Sequence, residues 1–432
     1  MWTRNMLSPA TRGLALVLSA AVLSGCGSDD DPAGPGPGPG ESSSISTVNV
    51  DDAAAALIGG AQHTIGTLGL GQEMTAPFFY IYTPAGYDAS SADGYPVLAL
   101  LHGFGDDMNY WTDGVDVKTL FDELIAAGTM DPMIVVMPNG VGGVIGSWYA
   151  DSPVFGGYAT YIESIIGQVE ASYNSNGQRA IAGLSMGGFG AFHLAMGGGQ
   201  LGLEYDAVIS HSGPINLGGL LNPDPYYGDR NFPQLLLYEA STAAGLGLMQ
   251  GSLATGCTNV LGSDAGLSAA ILELIGDSVN AGFTTFTFGA AAAFSPHYGT
   301  PLDFDMLADF DGNPCNNTTY PIAPANADSS EWVGVNFPIQ ADGQLNTAVW
   351  EGVWMGAVDP MGRLGGLAAG TKVYVDCGNQ DELGLSDDTA TFADAAGAAL
   401  GTDFTYETFD GGHEDMIGAR LAVSMAWLSD LL

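Results

Sequence analysis

A serine lies at the centre of a glycine-rich segment that joins a strand-like run to a helix-like run. Residues Gly183-Leu-Ser-Met-Gly187 follow the pattern G-x-S-x-G. A strand-to-helix turn of this kind exposes the serine hydroxyl and aims a helix N-terminus at any oxyanion that forms. The pattern predicts that Ser185 is a nucleophile, although a glycine-rich turn with an incidental serine fits the same five residues.

A second strand, upstream of the serine, predicts the other half of such a site. Tyr95–Leu101 is an apolar run that ends in His102, Gly103 and a loop. In serine hydrolases built on a parallel sheet, this loop and the residue after the nucleophile each supply a backbone N–H to the oxyanion. Those donors would be Phe104 and Met186. We expect His102, at the strand end, to brace the loop and not to act as a base.

The base should follow Ser185, because the chain order of this arrangement is serine, acid, histidine. His413 lies in a glycine-rich loop before a predicted amphipathic helix at about Met416–Leu431. A loop beside a glycine pair lets an imidazole reach a serine. His211, at a strand end, and His297, in a loop of the middle segment, are the other candidates, and we expect both to be structural.

The acid should follow the next-to-last strand, which the sequence predicts at Thr371–Cys377. Asp381 lies in the loop after this strand and is the first choice. Asp376, at the strand end, is the alternative, and Glu382 is the third candidate. The interval from Asp381 to His413 has room for one helix and one strand, so both residues can lie at the same edge of a sheet.

The motifs in this order resemble the esterase D-like family of α/β-hydrolases, which includes feruloyl esterases, S-formylglutathione hydrolases and mycolyltransferases. The resemblance extends from about His63 to Leu432. The segments that carry it are Tyr95–Gly105, Met133–Gly140, Gly146–Ser152, Arg179–Phe192, His211–Pro214, Tyr374–Leu383 and Gly411–His413. It implies an α/β-hydrolase fold, with a mostly parallel central sheet flanked by helices.

The resemblance also implies roles for individual residues. They are Ser185 as nucleophile, Asp381 as acid, His413 as base, Phe104 and Met186 at the oxyanion hole, and Trp148 near the pocket mouth. Trp111 and Trp148 both lie in loops of the main domain and are our candidates for the substrate pocket. The chain departs from the family in an enlarged cap insertion at about 215–354, which we expect to select the substrate. Its aromatic residues either line the pocket or pack the cap itself.

The N-terminal segment predicts export. Arg4 and Arg12 precede an apolar run, Gly13–Leu23, that is too short to span a membrane. Ser24-Gly-Cys26 then resembles the bacterial lipoprotein signal, so we expect residues 1–25 to be a signal peptide and Cys26 to be lipidated. An ordinary signal peptide with an incidental cysteine is the alternative. The residue after the cysteine is Gly27, whereas lipoproteins retained in the inner membrane carry Asp at this position. By resemblance to that sorting rule, Gly27 favours the outer membrane.

A Gly/Pro/Ser-rich stretch at 26–45 has no side chains that could build a core, and its composition predicts an extended tether. The remaining residues, 46–432, are long enough for one catalytic α/β domain with the cap insertion, and they contain no linker-like stretch and no internal repeat. The sequence therefore predicts one tethered catalytic domain, and it leaves the oligomeric state open.

The net charge of the chain limits the binding partners and substrates that we expect for it. The chain has 8 Lys+Arg and 48 Asp+Glu, with a net charge of −40. Such a field repels nucleic acid, anionic membrane surfaces and anionic polymers. Neutral or apolar esters are the better substrate candidates. High salt screens this self-repulsion, so a halophilic or marine source is one hypothesis, and an ordinary acidic exported enzyme is the other.

Cysteines and acidic loops suggest no metal centre. Cys257 and Cys315 both lie in the insertion and could form a disulfide, while Cys377 is expected to be a small buried residue. The acidic loop at 303–313 does not have the spacing of an EF-hand. We expect no metal and no cofactor.

The sequence therefore predicts an exported, lipid-anchored carboxylic ester hydrolase that acts through an acyl-enzyme. Two alternatives stay open. An acyltransferase would use the same three side chains and pass the acyl group to a sugar or lipid alcohol. A catalytically silent binding protein would retain the fold alone.

Overall fold

The computed structural model describes residues 42–58, 78–141, 146–152, 156–223, 229–235, 286–287, 289–298, 319–322, 333–336, 338 and 345–432. Only the backbone is described at 296–298, 319–322 and 333–336. The predicted signal peptide, most of the predicted tether and much of the predicted cap lie outside these ranges. No helix within the described ranges is long and apolar enough to cross a membrane.

The centre of the molecule is an eight-stranded sheet. Its strands are β1 (Ser44–Asn49), β2 (Phe78–Thr83), β3 (Tyr95–Leu101), β4 (Ile134–Met137), β5 (Ser175–Leu184), β6 (Ala207–His211), β7 (Lys372–Gly378) and β8 (Phe404–Phe409). They lie in the order β1-β2-β4-β3-β5-β6-β7-β8. The β1–β2 and β2–β4 pairs are antiparallel, and the other five pairs are parallel. The expected mostly parallel sheet is confirmed.

Among the described residues, the sheet is flanked by the longer helices α1 (Val117–Ala126), α2 (Tyr158–Ser172), α3 (Met186–Ala195), α4 (Leu385–Leu400) and α5 (Ile417–Ser429). Short helical turns occur at Tyr110–Gly114, Leu217–Leu221, Thr347–Val349, Trp350–Val358, Met361–Gly366 and Gly401–Asp403. The helix expected at about Met416–Leu431 corresponds to α5, and the helix and strand expected between Asp381 and His413 are α4 and β8.

The sheet has a core on each face because side chains alternate along a strand. In β3, Val97, Ala99 and Leu101 belong to the first core, while Leu98 and Leu100 belong to the second. All five are fully buried. Strands covered on both faces read as continuous apolar runs, which is the pattern that predicted β3.

Different helices cover the two faces. Helices α2, α3 and α4 contribute to the first core, and α1 and α5 contribute to the second. In α5, apolar residues recur at the three- and four-residue spacing of one helix face, and Leu421, Met425 and Leu428 are fully buried. This packing fixes the loops that follow β3, β5, β7 and β8 at one edge of the sheet.

Two observations bear on the predicted domain boundaries. Strand β1 begins at Ser44, so the last residues of the range assigned to the tether belong to the sheet. Within the range assigned to the cap, a small antiparallel sheet joins Thr319–Ile322, Val333–Asn336 and Pro296–Tyr298. Cys26, Cys257, Cys315 and the acidic loop at 303–313 lie outside the described residues.

Candidate active site

Ser185 occupies a strained turn between β5 and α3. Its backbone has φ +56° and ψ −118°, a region that residues other than glycine rarely adopt. Its N–H donates to the carbonyl of His211 (2.8 Å), and its carbonyl accepts from the N–H of Phe189 (3.1 Å). Strain of this kind costs on the order of 1–3 kcal/mol and persists only where surrounding contacts impose it. The turn holds the serine, which is partly exposed, at the carboxyl edge of the sheet.

The two glycines of the motif are required by close backbone approach. A Cβ on Gly183 would overlap the backbone of Gly187, and a Cβ on Gly187 would overlap the carbonyl of Leu101 at the end of β3. Gly187 therefore allows α3 to begin directly against β3. The G-x-S-x-G pattern is explained by the packing of this turn.

His413 and Asp381 form a hydrogen-bonded pair near the same edge. His413, in the loop between β8 and α5, contacts Asp381 Oδ2 through Nδ1 at 2.8 Å. Asp381, in the loop after β7, also accepts from the N–H of Leu383 (2.9 Å) and contacts Cys377 Sγ at 3.5 Å. His413 is 5% exposed and Asp381 1%. The predicted base and acid are thus adjacent.

The environment of this pair favours the charged forms. Burial alone would lower the pKa of His413, but attraction and a hydrogen bond from Asp381 more than offset it, so this pKa is raised above 6.5. Burial alone would raise the pKa of Asp381, but His413 and the Leu383 N–H hold it below 3.8. An imidazole of raised basicity, oriented by a carboxylate, is suited to accept a proton from a hydroxyl.

The second ring nitrogen of His413, Nε2, is not used in the contact with Asp381. Nε2 is buried, and no hydrogen-bond partner for it exists among the described residues. The Ser185 hydroxyl is therefore not hydrogen-bonded to it in this structure. Catalytic hydrogen bonds are often long without substrate and tighten when it binds.

Asp106 lies between the serine turn and the histidine loop. A Cβ on Gly103 would be 3.3 Å from Asp106 Oδ2 and 3.6 Å from Ser185 Cβ, so both side chains flank this glycine. Burial, the charge of Glu414 and the charge of Asp107 raise the pKa of Asp106 to about 7. Because Glu414 directly follows His413, this coupling links the base-bearing loop to the nucleophile turn. The sequence analysis did not identify Asp106.

The other acid candidates have different partners. Asp376 is 2% exposed and contacts His211 Nδ1 at 2.7 Å and Arg420 Nη2 at 2.6 Å. Glu382 accepts a hydrogen bond from the backbone N–H of His413 (2.8 Å). Asp381 is bonded to the imidazole of His413 itself, as the predicted acid would be.

The other histidine candidates occupy structural positions. His211 is fully buried, and its Nε2 lies 3.2 Å from the hydroxyl of Ser424. The backbone of His297 lies in the small antiparallel sheet, and its side chain is outside the description. His102 accepts from the Gly140 N–H at Nε2 (2.8 Å), with Nδ1 2.9 Å from the Gly103 carbonyl. His102 thus braces two loops, as expected, and burial lowers its pKa to about 4.

Phe104 and Met186 lie near each other beside the serine turn. Met186 is the first residue of α3, so its N–H has no partner within the helix and can bind an oxyanion. Phe104 lies in the loop after β3, three residues beyond its end. A Cβ on Gly146 would overlap the Phe104 ring and lie 2.8 Å from Met186 Sδ, so the two side chains meet at this glycine.

Trp148 lies in an aromatic cluster beside this turn, and its backbone N–H donates to Met186 Sδ at 3.3 Å. Its ring lies 4.9 to 5.9 Å from the rings of Phe104, Phe189, Phe286 and Phe294. Phe286 and Phe294 belong to the predicted cap, whose aromatic residues were expected either to line the pocket or to pack the cap itself. Their contacts join that part of the cap to the main core.

Trp111 is placed elsewhere. It is fully buried in the second core and packs edge-to-face on Tyr110 at 5.1 Å. The first core, by contrast, contains Trp148 and Met186. The position of Trp111 gives no support to its predicted role in the substrate pocket.

No group of three or more metal-binding side chains occurs in the part of the chain that the structure describes. Cys377 is buried and unpaired. Burial and the nearby Asp381 carboxylate raise the pKa of its thiol. This thiol is therefore unsuited to act as a nucleophile.

The sheet order and the serine turn at its carboxyl edge define an α/β-hydrolase. Residues 69–415 match the family described as "Putative esterase". The chain belongs to this family, as its motifs predicted.

Curated relatives align with a part of the chain. An esterase of Mycobacterium tuberculosis is 37% identical over 138 residues, which are 30% of this chain and 27% of that protein. An endo-1,4-beta-xylanase/feruloyl esterase of Xylanibacter ruminicola is 33% identical over 119 residues, which are 25% of this chain and 16% of that protein. The matched part thus spans 27% or less of either relative's length.

Solved structures with similar folds include two hydrolases. A ferulic acid esterase has a TM-score of 0.45 and 17% identity, covering 90% of this chain and 100% of its own. An S-formylglutathione hydrolase from Staphylococcus aureus has a TM-score of 0.41 and 13% identity, covering 90% of this chain and 99% of its own.

Proposed function

We propose that this chain hydrolyses carboxylic esters through a Ser185–His413–Asp381 triad. The observation that carries the proposal is the buried His413–Asp381 hydrogen bond at the sheet edge that also bears the strained Ser185 turn. Membership of the esterase family supports the same chemistry.

The reaction follows from the roles of these groups. Ser185 Oγ attacks the ester carbonyl while His413 Nε2 takes its proton, and Asp381 orients the imidazole and stabilises the imidazolium. The backbone N–H groups of Phe104 and Met186 bind the oxyanion. His413 then gives the proton to the departing alcohol. Water, activated by the same imidazole, releases the acid from the acyl-enzyme.

Uncharged esters are the proposed substrates. The net charge of −40 opposes the approach of anionic polymers. Asp106 and Glu414 add negative charge close to the nucleophile when ionised. Phe104 and Phe286, the partly exposed rings that pack on the buried Trp148, offer apolar surface near the turn.

A hydrolysis panel tests the proposal. Purified protein from residue 44 onward would be assayed on p-nitrophenyl acyl esters, feruloyl esters and acetylated sugars, with Ser185→Ala as the matched control. We expect turnover of at least one class and a fall in kcat on the order of 10⁴ or more in the variant. Equal activity of Ser185→Ala and the unmodified protein would refute the assignment.

We further propose that the protein is exported and anchored by a lipid on Cys26, in the outer membrane of a bacterium. The Leu23-Ser-Gly-Cys26 box and the Gly/Pro-rich stretch that follows it support this proposal. The tether would let the catalytic domain reach substrates away from the membrane surface.

A further inference from the structure

A buried polar network lies behind the proposed triad and takes no part in the reaction described above. Its members are His211, Ser212, Asp376, Arg420 and Ser424, each 4% exposed or less. Two of them, His211 and Asp376, were considered for other roles in the sequence. Arg420 is the centre of the network, because its guanidinium contacts the loop that carries His413, Ser212 after β6 and Asp376 in β7.

Arg420 lies in the first turn of α5, shortly after the loop that carries His413. Its Nη1 donates to the main-chain carbonyls of His413 (3.1 Å) and Asp415 (3.4 Å). Its guanidinium carbon also lies 4.3 Å from the centre of the Phe409 ring, at the end of β8. The one side chain therefore contacts this loop at both ends and at the proposed base.

The other nitrogens of Arg420 reach the neighbouring strands. Nε and Nη2 donate to Asp376 Oδ1 at 3.1 and 2.6 Å, and Nη2 donates to Ser212 Oγ at 2.8 Å. The Ser212 N–H donates to the Asp376 carbonyl (2.8 Å). The guanidinium thus ties the His413 loop to the ends of β6 and β7.

The network continues to the nucleophile. Asp376 Oδ2 contacts His211 Nδ1 at 2.7 Å, and the His211 carbonyl accepts from the Ser185 N–H at 2.8 Å. Hydrogen bonds through His211, Asp376 and Arg420 therefore connect the main chain of Ser185 to the main chain of His413.

Stability alone is a weak reason for such an arrangement. Desolvation of a buried ion pair roughly cancels its attraction, and an apolar replacement is often as stable. The geometry points to Arg420 as a positioning residue of the proposed hydrolysis, which sets the His413 main chain relative to the Ser185 turn. This inference rests on the proposed function, because it assigns Arg420 to the same reaction.

The expected effect is on turnover more than on binding. Arg420 is placed to act on the base and not on substrate, and a displacement of about 1 Å in a catalytic group costs on the order of 100-fold in rate. We expect Arg420→Met to lower kcat by about that factor, with KM changed less than about threefold. Arg420→Lys keeps the charge but not the planar fork that serves several acceptors at once, so its kcat should be intermediate.

Arg179→Met is the matched control. Arg179 also makes a two-pronged contact with a carboxylate, Glu170, at 2.7 and 2.8 Å, and it lies in β5 well away from Ser185. Each variant would be assayed well below its melting temperature, with active sites counted by a burst of p-nitrophenol so that kcat refers to folded molecules.

A kcat loss in the two Arg420 variants, absent from Arg179→Met, would support the positioning role. Unchanged kcat in Arg420→Lys, together with an Arg420→Met that is either active or unable to fold, would overturn it and leave a purely structural ion pair. These results are separate from the proposed function, which is tested by the loss of activity in Ser185→Ala.

Discussion

Asp106→Asn should stabilise the protein above neutral pH and leave it unchanged in acid. The Asp106 carboxyl lies beside the Ser185 turn with Glu414 and Asp107 as charged neighbours, and its pKa is raised from 3.8 to about 7 by burial first and by these charges second. Asparagine has nearly the same shape and cannot ionise, so the substitution removes the charge with little change in packing.

The sign follows from linkage. The pKa of Asp106 is higher in the folded state than in the unfolded state. The contribution of its protonated carboxyl to the free energy of unfolding is therefore fully present below about pH 4. It is lost as the pH rises towards 7. With 1.36 kcal/mol for each unit, a shift of about three units corresponds to about 4 kcal/mol above pH 7, as an upper bound for a partly exposed carboxyl. Between pH 5 and pH 8 the variant should gain up to about 2.5 kcal/mol on the unmodified protein.

Urea unfolding at pH 5, 6, 7 and 8 measures this difference directly. Comparing the variant with the unmodified protein at each pH cancels the titration of the other carboxyls. Asp93→Asn, at an exposed position, is the control. A difference in the free energy of unfolding that stays constant from pH 5 to pH 8 would refute the reasoning.

Three further predictions follow from the proposed site, the anchor and the charge. Asp381→Asn should lower kcat by a factor on the order of 10³–10⁴, which is a smaller loss than in Ser185→Ala and a far larger one than in Asp376→Asn. A larger loss of kcat in Asp376→Asn than in Asp381→Asn, measured by steady-state kinetics, would make Asp376 the acid. Cys26→Ser should release the protein from membranes, with unchanged activity per molecule on a soluble ester. The anchor would be contradicted if the protein without this substitution were already soluble and its N-terminal peptide carried no acyl mass. Raising NaCl or KCl from about 10 mM to about 1 M shortens the screening length from about 30 to about 3 Å, so the repulsion between acidic side chains should weaken. Calorimetry should therefore show a higher Tm in both salts. A Tm that does not change with salt would contradict the halophile hypothesis.

Motifs at strand ends were predictable because each has a local cause. Burial on both faces of the sheet requires the apolar run of β3, and close backbone approach requires the glycines of the G-x-S-x-G turn. Both requirements are visible in the sequence as residue types. The choice between Asp376 and Asp381 was harder, since Asp376 lies near the end of β7 and Asp381 lies three residues after this strand. Their partners decide it, and those partners lie on β6 and in the loop after β8.

Tertiary packing explains what the sequence left unidentified. Trp111 lies in a segment that the sequence predicts as a loop, yet it is fully buried in the same core as residues of α1 and α5. Arg420 did leave a signal, because it falls on the buried face of α5 with Ile417, Leu421 and Ser424 at three- and four-residue spacing. A lone arginine on an apolar stripe is a candidate for a buried partner, and here the partner is Asp376.

The central claim is that Ser185 is a nucleophile activated by His413, and covalent labelling tests it most directly. The unmodified protein, Ser185→Ala and His413→Ala would each be treated with a fluorophosphonate probe. Peptide mass spectrometry would then identify the labelled residue and measure the rate at which the adduct forms. We predict one adduct, on the peptide containing Ser185. It should be absent in Ser185→Ala and form more slowly in His413→Ala, by a factor on the order of 10³. An adduct on another residue, or labelling of Ser185 at the same rate without His413, would contradict the proposed triad.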